Sequence, residues 1–143
     1  VELPSALTSI INSAVSVYFA MNDPVMYVVT QSKVYSVSFG GGVVSYSERF
    51  TAPAGESFTK SKLFVQGRFR LNRKDFNSVE GPIYESALAF NTKAIVLSTQ
   101  KGEYEGSVLL LPISNTTTGE LNQSAMKRYQ GFGKIIDFTF QGQ

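Results

Sequence analysis

The stretch FAMNDPVMYVVTQ, residues Phe19–Gln31, returns in altered form as LAFNTKAIVLSTQ at Leu88–Gln100. The two stretches align without gaps when Phe19 is placed over Leu88, and the apolar run Val25–Val28 then lies over Ala94–Leu97. The identical pairs are Ala20/Ala89, Asn22/Asn91, Thr30/Thr99 and Gln31/Gln100. This alignment predicts that the chain contains one structural unit twice.

Further stretches of the first unit have weaker counterparts in the second unit, in the same order along the chain. The matches are KVYSVSF (Lys33–Phe39) with GSVLLLPI (Gly106–Ile113), SYSERF (Ser45–Phe50) with SAMKRY (Ser124–Tyr129), and KLFVQGRF (Lys62–Phe69) with KIIDFTF (Lys134–Phe140). We therefore predict a single β-rich region, residues 1–143, with one repeat unit at about 15–69 and a second at about 84–140.

Both units have the sequence pattern of short β-strands. Residues 63–71 alternate between an apolar face and a half-polar face, with the period of two that a strand requires. Val25–Val29 is continuously apolar, which is typical of a strand covered on both faces. The strands are separated by turn-forming sequences such as NDP, QSK, FGGG and NTTTGE. Only Pro4–Ala14 suggests a helix, and its serine, threonine and asparagine residues make it a poor one.

Repeated sets of short antiparallel strands are typical of β-propeller blades, so we predict an all-β fold with antiparallel, propeller-like blades. A propeller closes with about 4 to 8 blades, and each blade covers its faces against its neighbours. Two blades alone would leave two hydrophobic faces bare. The chain would then be a piece of a longer propeller or would assemble with another copy. The alternative is a β-sandwich, in which the two sheets pack face to face.

The composition excludes several kinds of catalytic site. The 143 residues include no cysteine and no histidine, so the chain lacks a thiolate nucleophile, a sulfur metal ligand and the commonest general base. Apolar residues at 43% and charged residues at 17% are typical of a globular protein. The net charge of +2 does not indicate a nucleic-acid partner. No signal peptide and no membrane-spanning segment is recognisable in the sequence.

The C-terminal sequence GELNQSAMKRYQGFGKIIDFTFQGQ follows AIVLSTQKGEYEGSVLLLPIS. Together they resemble the C-terminal end of the PKD-like family of surface lipoproteins of glycan-foraging gut bacteria. The resemblance covers roughly Tyr84–Gln143, and more faintly Val15–Phe50. It implies an exported protein at the cell surface or in the periplasm, held by a lipid anchor outside this sequence. Glycans or other surface proteins would be its partners.

The basic run KSKLFVQGRFRLNRK contains Lys60, Lys62, Arg68 and Arg70. Arg68 and Arg70 share a strand face with Phe64, and this face could present cations and a ring to an anionic chain or a sulfated glycan. The competing interpretation is a solvated strand face whose charges discourage pairing with other strand edges.

Two other motifs have simpler structural explanations. In KGEYEGS, Glu103 and Glu105 could serve acid–base chemistry or hold a calcium ion, but carboxylates two residues apart cannot bracket a glycosidic bond. A soluble hairpin tip explains them better. The glycines of FGGGVV precede a β-rich segment rather than a helix, so they indicate a hairpin turn and not a phosphate-binding loop.

We predict a non-catalytic binding or scaffold module with no metal, cofactor, nucleic-acid partner or direct membrane span. Rigid strands joined by exposed loops suit binding, and aromatic rings in or near the loops could stack on sugars. The candidate ligand-binding residues are Tyr46, Phe50, Tyr104, Tyr129, Arg68 and Arg70. The alternatives are a purely structural part of a larger or oligomeric propeller and, less favoured, a carboxylate-dependent hydrolase.

Overall fold

The computed structural model describes residues 4–20, 24–39, 44–71, 84–102 and 105–132, with only the backbone described in 66–71, 84–91 and 131–132. One α-helix, α1 (Ser5–Asn12), precedes the strands. The strands are β1 (Ser16–Phe19), β2 (Val25–Val29), β3 (Lys33–Ser38), β4 (Ser45–Thr51), β5 (Ser57–Leu71), β6 (Tyr84–Lys101), β7 (Glu105–Asn115), β8 (Glu120–Leu121) and β9 (Lys127–Phe132). A 3₁₀ turn, Gln123–Ala125, lies between β8 and β9.

Sheet one is an antiparallel meander in the order β1-β2-β3-β4. Across the sheet, Tyr18 lies opposite Tyr27, Tyr27 lies opposite Ser36, and Ser36 lies opposite Ser47. Every residue of β2 is buried, as the unbroken apolar run Val25–Val29 predicts for a strand covered on both faces.

Sheet two is a second antiparallel meander, with β5, β6 and β7 side by side. Lys62 lies opposite Val96, and Val96 lies opposite Leu110. The far edge of β7 pairs with β8 near its end and with β9 along Gly106–Leu110. Apart from the inserted β8, sheet two therefore repeats the strand order of sheet one.

One hydrophobic core joins the two sheets. Alternate residues of β2 and β6 meet in it, because successive side chains of a strand point to opposite faces. The buried members are Ala20, Val25, Tyr27, Val29, Val34, Phe58, Ile95, Leu97, Leu109, Leu111 and Leu121. Burying each of the larger aliphatic side chains stabilises the fold by about 1.5 to 3 kcal/mol. This core joins the two sheets, and hydrogen bonds at their edges add to it.

The outer face of sheet one is covered by α1. Leu7 is fully buried against Met26, Val28 and Val37 of that face. Ile10 and Ile11 pack against the same cluster. They lie three and four residues after Leu7, which places all three side chains on one side of a helix. Tertiary burial thus compensates for the poor helix propensity that the sequence shows.

The outer face of sheet two is also buried. Val96 and Leu110 project away from the shared core, and their exposed fractions are 0% and 1%. Phe64, Ala94 and Val108 on the same face are at most 3% exposed. The expectation that two such sheets would leave two hydrophobic faces bare is therefore wrong for both sheets.

The prediction of an all-β fold with antiparallel strands is confirmed. The described strands form two sheets that do not close into a ring. The chain crosses from sheet one to sheet two between Thr51 and Ser57, whereas the predicted first unit extends to about residue 69. KLFVQGRF consequently pairs with β6 in the second sheet. Its predicted counterpart KIIDFTF lies outside the described residues, and the proposed repeat boundaries stay a prediction.

Sheet two lies under sheet one with its strands in the same order and direction. The β1 side of sheet one faces β5, where Tyr18 Oη is 2.7 Å from Ser61 Oγ. At the start of β5, Phe58 N donates to Gln31 O. Gln31 follows the end of β2, and that end of β2 pairs with the start of β1, so the starts of β1 and β5 lie close together. Farther along β5, Lys93 lies opposite Val65, and its Nζ reaches Ala20 O, just past the end of β1, at 3.5 Å. Hence β1 and β5 run the same way.

The opposite side of the stack is closed by the turn Asn115–Gly119, here called the closing turn. Tyr27 Oη donates to Gly119 O at 2.9 Å inside the core. Arg49 bridges the two sheets, with Nε 2.7 Å from Ser36 Oγ and a terminal guanidinium nitrogen 3.2 Å from Thr118 O. Gly119 has φ +85° and lies directly against Ser36, so a β-carbon would not fit there.

A largely buried ion pair fixes β9 to the segment that crosses between the sheets. Arg128 lies 2.7 Å from Oε1 of Glu56, whose side chain is only 7% exposed. Thr99 Oγ1 donates to the same carboxylate oxygen at 2.8 Å, and Arg128 also reaches Ser107 Oγ at 3.3 Å. Because the buried carboxylate accepts two hydrogen bonds, one of them from a guanidinium, its charge is compensated where it lies.

Candidate functional site

The candidate site is a groove between the edges of β1 and β5, with a volume of about 330 Å³. It is lined by Val15–Phe19 on one side and by Lys60–Leu63 on the other. We call this feature the groove. It forms because β1 and β5 are the terminal strands of their sheets and lie beside each other where the shared core ends.

Three polar side chains form the floor of the groove. Ser16 Oγ accepts a hydrogen bond from Ser61 N at 3.0 Å, and Tyr18 Oη is 2.7 Å from Ser61 Oγ. Burial raises the pKa of the Tyr18 phenol well above its usual value, and the hydrogen bond with Ser61 lowers this pKa by a smaller amount. The phenol is therefore neutral at physiological pH, and it serves as a fixed contact between the sheets.

The β1 wall of the groove is apolar and exposed. Val17 and Phe19 are 45% and 58% exposed, and they are the large hydrophobic residues most open to solvent in the described part of the chain. The Phe19 ring packs on Phe39 at a centroid distance of 5.9 Å, which restrains the ring while leaving much of it open. An exposed ring held in place is suited to contact a ligand.

The β5 wall of the groove is cationic. Lys60 and Lys62 are half-buried residues at alternate positions of β5, so both project on the side of β5 away from the shared core. Among the described residues that line the groove, these lysines are the charged ones. The groove therefore has exposed apolar residues along one strand edge and lysines along the other, and the two sets project to opposite outer faces of the stacked sheets.

The outer edge of β1 has backbone groups directed into solvent. Ala20 N donates to Val25 O, the residue opposite it, at 2.9 Å. In an antiparallel pair, hydrogen-bonded and non-hydrogen-bonded positions alternate. The N–H and C=O groups of Val17 and Phe19 consequently point away from β2. On the β5 edge, by contrast, the N–H of Ser61 is already bonded to Ser16.

The sequence-predicted binding residues do not gather in one place. Tyr46 lies on the outer face of sheet one, half-buried, with its ring centroid 6.4 Å from that of Tyr35. Phe50 packs against the shared core, 5.9 Å from Phe58. Tyr129 lies in β9, opposite Val108, on the far face of sheet two. Three described members of the predicted set thus lie on three different surfaces.

The other predicted residues are only partly described. The backbones of Arg68 and Arg70 belong to β5 and pair with Ala87 and Glu85 of β6, while their side chains lie outside the described atoms. Tyr104 and the neighbouring Glu103 lie outside the described residues, as do the glycines of FGGGVV. In the part of the chain that the structure describes, acidic side chains do not form a cluster able to hold a metal ion.

A second depression of about 320 Å³ is lined by Glu48–Thr51 and Gln123. Its polar groups are bound within the protein. Glu48 forms a hydrogen-bonded ion pair with Lys33 at 3.0 Å, and this contact raises the pKa of Lys33 and lowers that of Glu48. Gln123 Nε2 donates to Arg49 O at 2.9 Å. This depression therefore has fewer polar groups available to bind a ligand than its lining suggests, and the groove is the better candidate site.

Sequence reasoning did not identify Val17 and Phe19 as site residues. Phe19 entered the repeat alignment and the two lysines entered the basic run, but nothing local shows that β1 and β5 are neighbouring edges. The one sequence signal is that VSVYF combines strand alternation with a complete lack of charge, which is unusual for an edge strand.

No protein-family model, no curated protein and no solved structure matches the chain. The resemblance to PKD-like surface lipoproteins therefore stays a prediction that rests on the sequence alone. Within the described residues, no helix is long and apolar enough to span a membrane.

Proposed function

We propose that this chain is a non-catalytic binding or scaffold module, and that its ligand site is the groove between β1 and β5. The observation that carries the proposal is the restrained Phe19 ring, which is 58% exposed on the β1 edge of a groove whose β5 edge carries Lys60 and Lys62. Such a site suits an elongated ligand that has apolar and anionic groups.

The rigidity of the groove supports a role in binding. Its floor is tied to both sheets through Ser16, Tyr18 and Ser61, and its walls are strands rather than loops. A ligand would meet side chains that are already ordered, so little conformational entropy would be lost on binding. The sequence resemblance extends the proposal to an exported bacterial surface protein, with glycans or other surface proteins as ligands.

We also propose that the two sheets are consecutive propeller-like blades. Corresponding strands lie over each other in the same order and direction, as in blades related by rotation about a common axis. In the alignment of Phe19 with Leu88, Tyr27 corresponds to Val96. Tyr27 faces sheet two, and Val96 faces away from sheet one. Equivalent residues of successive blades have this relation, because each blade packs its front on the back of the next.

A β-sandwich accommodates the same two sheets and the same shared core. The second candidate function is a purely structural one, as part of a larger or oligomeric propeller. It follows from the propeller interpretation, because the blades of a propeller pack against each other. The stacking of equivalent strands favours it, and it is compatible with a ligand groove along the blade edges.

Nuclear magnetic resonance of the ¹⁵N-labelled chain tests the binding proposal. The probes are a heparin-derived oligosaccharide, a neutral glucan oligosaccharide and a synthetic acidic peptide. We expect at least one probe to shift the amide signals of Val15–Phe19 and Lys60–Leu63 before other signals. Phe19→Ala should weaken this binding because it removes the exposed ring of the groove.

The matched control pair is Lys60→Gln and Lys33→Gln. Both remove one lysine charge from a strand, but Lys33 lies away from the groove in its pair with Glu48. We expect only Lys60→Gln to weaken an anionic probe. Shifts confined to another surface, or no shift with any probe, would overturn the site. Shorter oligosaccharide products after prolonged incubation would instead indicate a hydrolase.

A further inference from the structure

We propose that the exposed edge of β1 pairs with the same edge of a second copy of this chain, so that two copies of sheet one form one continuous antiparallel sheet. This inference rests on the proposed scaffold function, because it names the partner that meets the β1 edge of the groove. Three features of that edge carry it: its outward backbone groups, its lack of charge, and its position relative to the free edge of β5.

The backbone of β1 supplies the directional part of the contact. The N–H and C=O groups of Val17 and Phe19 point away from β2, and no described strand pairs with them. A second β1 can lie antiparallel beside the first, with Tyr18 of one copy opposite Tyr18 of the other. Val17 of each copy is then opposite Phe19 of the other, and each such pair exchanges two main-chain hydrogen bonds. This arrangement has a two-fold axis, so it closes on itself as a dimer.

The side chains of this edge complement themselves. Val17 and Phe19 are 45% and 58% exposed, and they project from the outer face of sheet one because Tyr18 between them faces the shared core. The two-fold pairing keeps this outer face on the same side in both copies. Val17 of each copy would therefore pack directly on Phe19 of the other, as cross-strand neighbours do. The pairing would cover the most exposed large hydrophobic residues of the described chain.

The distribution of charge permits the edge to meet a copy of itself. Val15–Ala20 contains no charged residue, although charged side chains commonly protect edge strands from pairing with each other. Lys60 and Lys62 project from the outer face of sheet two, away from the face that carries Val17 and Phe19. They do not come between the two β1 strands. A neutral, apolar edge is best matched by another neutral, apolar edge, and this chain contains one.

The position of β5 leaves room for the second copy. Ser16 Oγ accepts a hydrogen bond from Ser61 N at 3.0 Å, so this N–H of β5 is directed away from β6. Ser16 therefore reaches β5 from its free edge, which places β1 at or beyond that edge. A strand added beside β1 continues sheet one without passing through β5.

Sedimentation velocity of the full chain tests the inference. The contact is short, since β1 has 4 residues. It is smaller than the roughly 800 Å² per partner of a standard interface, so we expect a weak, reversible dimer. Monomer should dominate at about 10 µM, and dimer should accumulate as the concentration approaches about 1 mM. In spectra of the ¹⁵N-labelled chain, the amide signals of Val17 and Phe19 should shift with concentration before other signals.

Val17→Pro and Val17→Thr are the matched pair for the backbone contact. Proline removes the N–H that points towards the second copy, at an edge where proline is tolerated, whereas threonine keeps that N–H. We expect Val17→Pro to weaken dimerisation at least about tenfold, and Val17→Thr to weaken it less than about threefold. Circular dichroism spectra would establish that both variants fold. Equal dimerisation of Val17→Pro and wild type would overturn the strand pairing.

Disulfide cross-linking tests the register, because the chain contains no cysteine of its own. Opposite residues of a hydrogen-bonded pair have Cα atoms about 5.5 Å apart, within the range that a disulfide bridges. The two copies of Val17 would be diagonal neighbours about 8 Å apart, beyond that range, and so would the two copies of Phe19. A mixture of Val17→Cys and Phe19→Cys chains in oxidised glutathione should therefore cross-link at least about fivefold faster than either variant alone. Equal rates would overturn the proposed register.

The outcomes separate this inference from the proposed ligand site. A chain that stays monomeric at every concentration, yet binds a heparin-derived or neutral oligosaccharide at the groove, would overturn self-pairing and leave the binding function intact. A dimer that Val17→Pro disrupts, together with no binding of any probe in dilute solution, would support self-pairing and overturn the groove as a ligand site. A monomeric chain that binds no probe would overturn both.

Discussion

The two long sides of the stacked sheets differ in how the gap between the sheets is filled. On the β4 side the closing turn seats Gly119 against sheet one, and Arg49 bonds to residues of both sheets. On the β1 side the sheets meet through Ser16, Tyr18 and Ser61, and the gap beyond them is left as the groove. One shared core therefore has one closed side and one open side.

The difference indicates how stability and binding are divided over the molecule. On the closed side, polar groups and a close backbone approach serve the fold, so substitutions there should lower the free energy of unfolding. On the open side, Val17, Phe19 and Lys60 make few contacts that the fold needs. Substitutions of these residues should change binding and leave stability nearly intact.

The largest effect should come from Gly119→Ala on the closed side. A β-carbon there would lie 2.6 Å from Ser36 Cβ and 2.9 Å from a methyl carbon of Val25, at a φ of +85° that alanine rarely adopts. We expect a loss of about 3 kcal/mol or more in the free energy of unfolding, from backbone strain and overpacking together. Urea denaturation measures it.

Gly102→Ala is the matched control for this substitution. Gly102 also has a positive φ, +65°, but a β-carbon there would meet no atom within 4 Å. Only the conformational penalty remains, so we expect a loss of about 1 kcal/mol. Equal losses for the two variants would show that the closing turn does not depend on the close approach of Gly119 to sheet one.

A smaller effect should follow from Arg49→Gln, which keeps the closing turn but removes its bridge. The guanidinium bonds to Ser36 Oγ and Thr118 O would be lost, and Ser36 is 1% exposed. We expect a loss of about 1 to 2 kcal/mol in the free energy of unfolding. Because the bridge and the turn share contacts, the loss should be smaller in a Gly119→Ala background.

The control for Arg49 is Lys33→Gln in the neighbouring strand. Lys33 forms an ion pair with Glu48, and both side chains are more than a third exposed. Such exposed pairs contribute little to stability, so the midpoint of urea denaturation should not change measurably. A loss as large as that of Arg49→Gln would mean that the bridge has no special role on the closed side.

The sequence predicts the strands well because their signals are local. The unbroken apolar run Val25–Val29 and the alternation around Leu63 depend only on neighbouring residues, and both are strands in the structure. Sheet membership is different, since KLFVQGRF would alternate in the same way in either sheet. Its place in sheet two depends on pairing with residues such as Val96, far away in the chain.

The candidate site could be predicted less well, for a related reason. The repeat alignment begins at Phe19 but says nothing about its exposure, and Phe19 is 58% exposed because β1 is a terminal strand. Conversely, the aromatic ring of Phe50 is predicted to stack on a ligand, but it packs on the shared core. Exposure of an aromatic ring depends on which strands lie at the edges, and a single unit of sequence does not contain that information.

Among the contacts between the two sheets, the smallest effect at pH 8 should come from Tyr18→Phe on the open side. It removes one hydrogen bond, to Ser61, and should cost about 1 kcal/mol at pH 8. The pKa of this phenol is raised above its ordinary value of 10.0 because burial disfavours the charged form. Its contribution to stability is therefore fully present below pH 10 and is lost as the pH rises above 10, where the unfolded chain releases the proton first.

Urea denaturation between pH 8 and pH 11 would resolve this contribution. Wild type should lose about 1.4 kcal/mol per pH unit above pH 10 through Tyr18, in addition to losses that other groups cause in every variant. Tyr18→Phe lacks this loss. The difference in free energy of unfolding between Tyr18→Phe and wild type should therefore shrink as the pH rises and then change sign. Ser61→Ala removes the same hydrogen bond but keeps the buried phenol, so it should retain the alkaline loss. If all three stability curves ran parallel above pH 10, Tyr18 would not be held neutral between the sheets, and the open side would be wetter than the groove geometry implies.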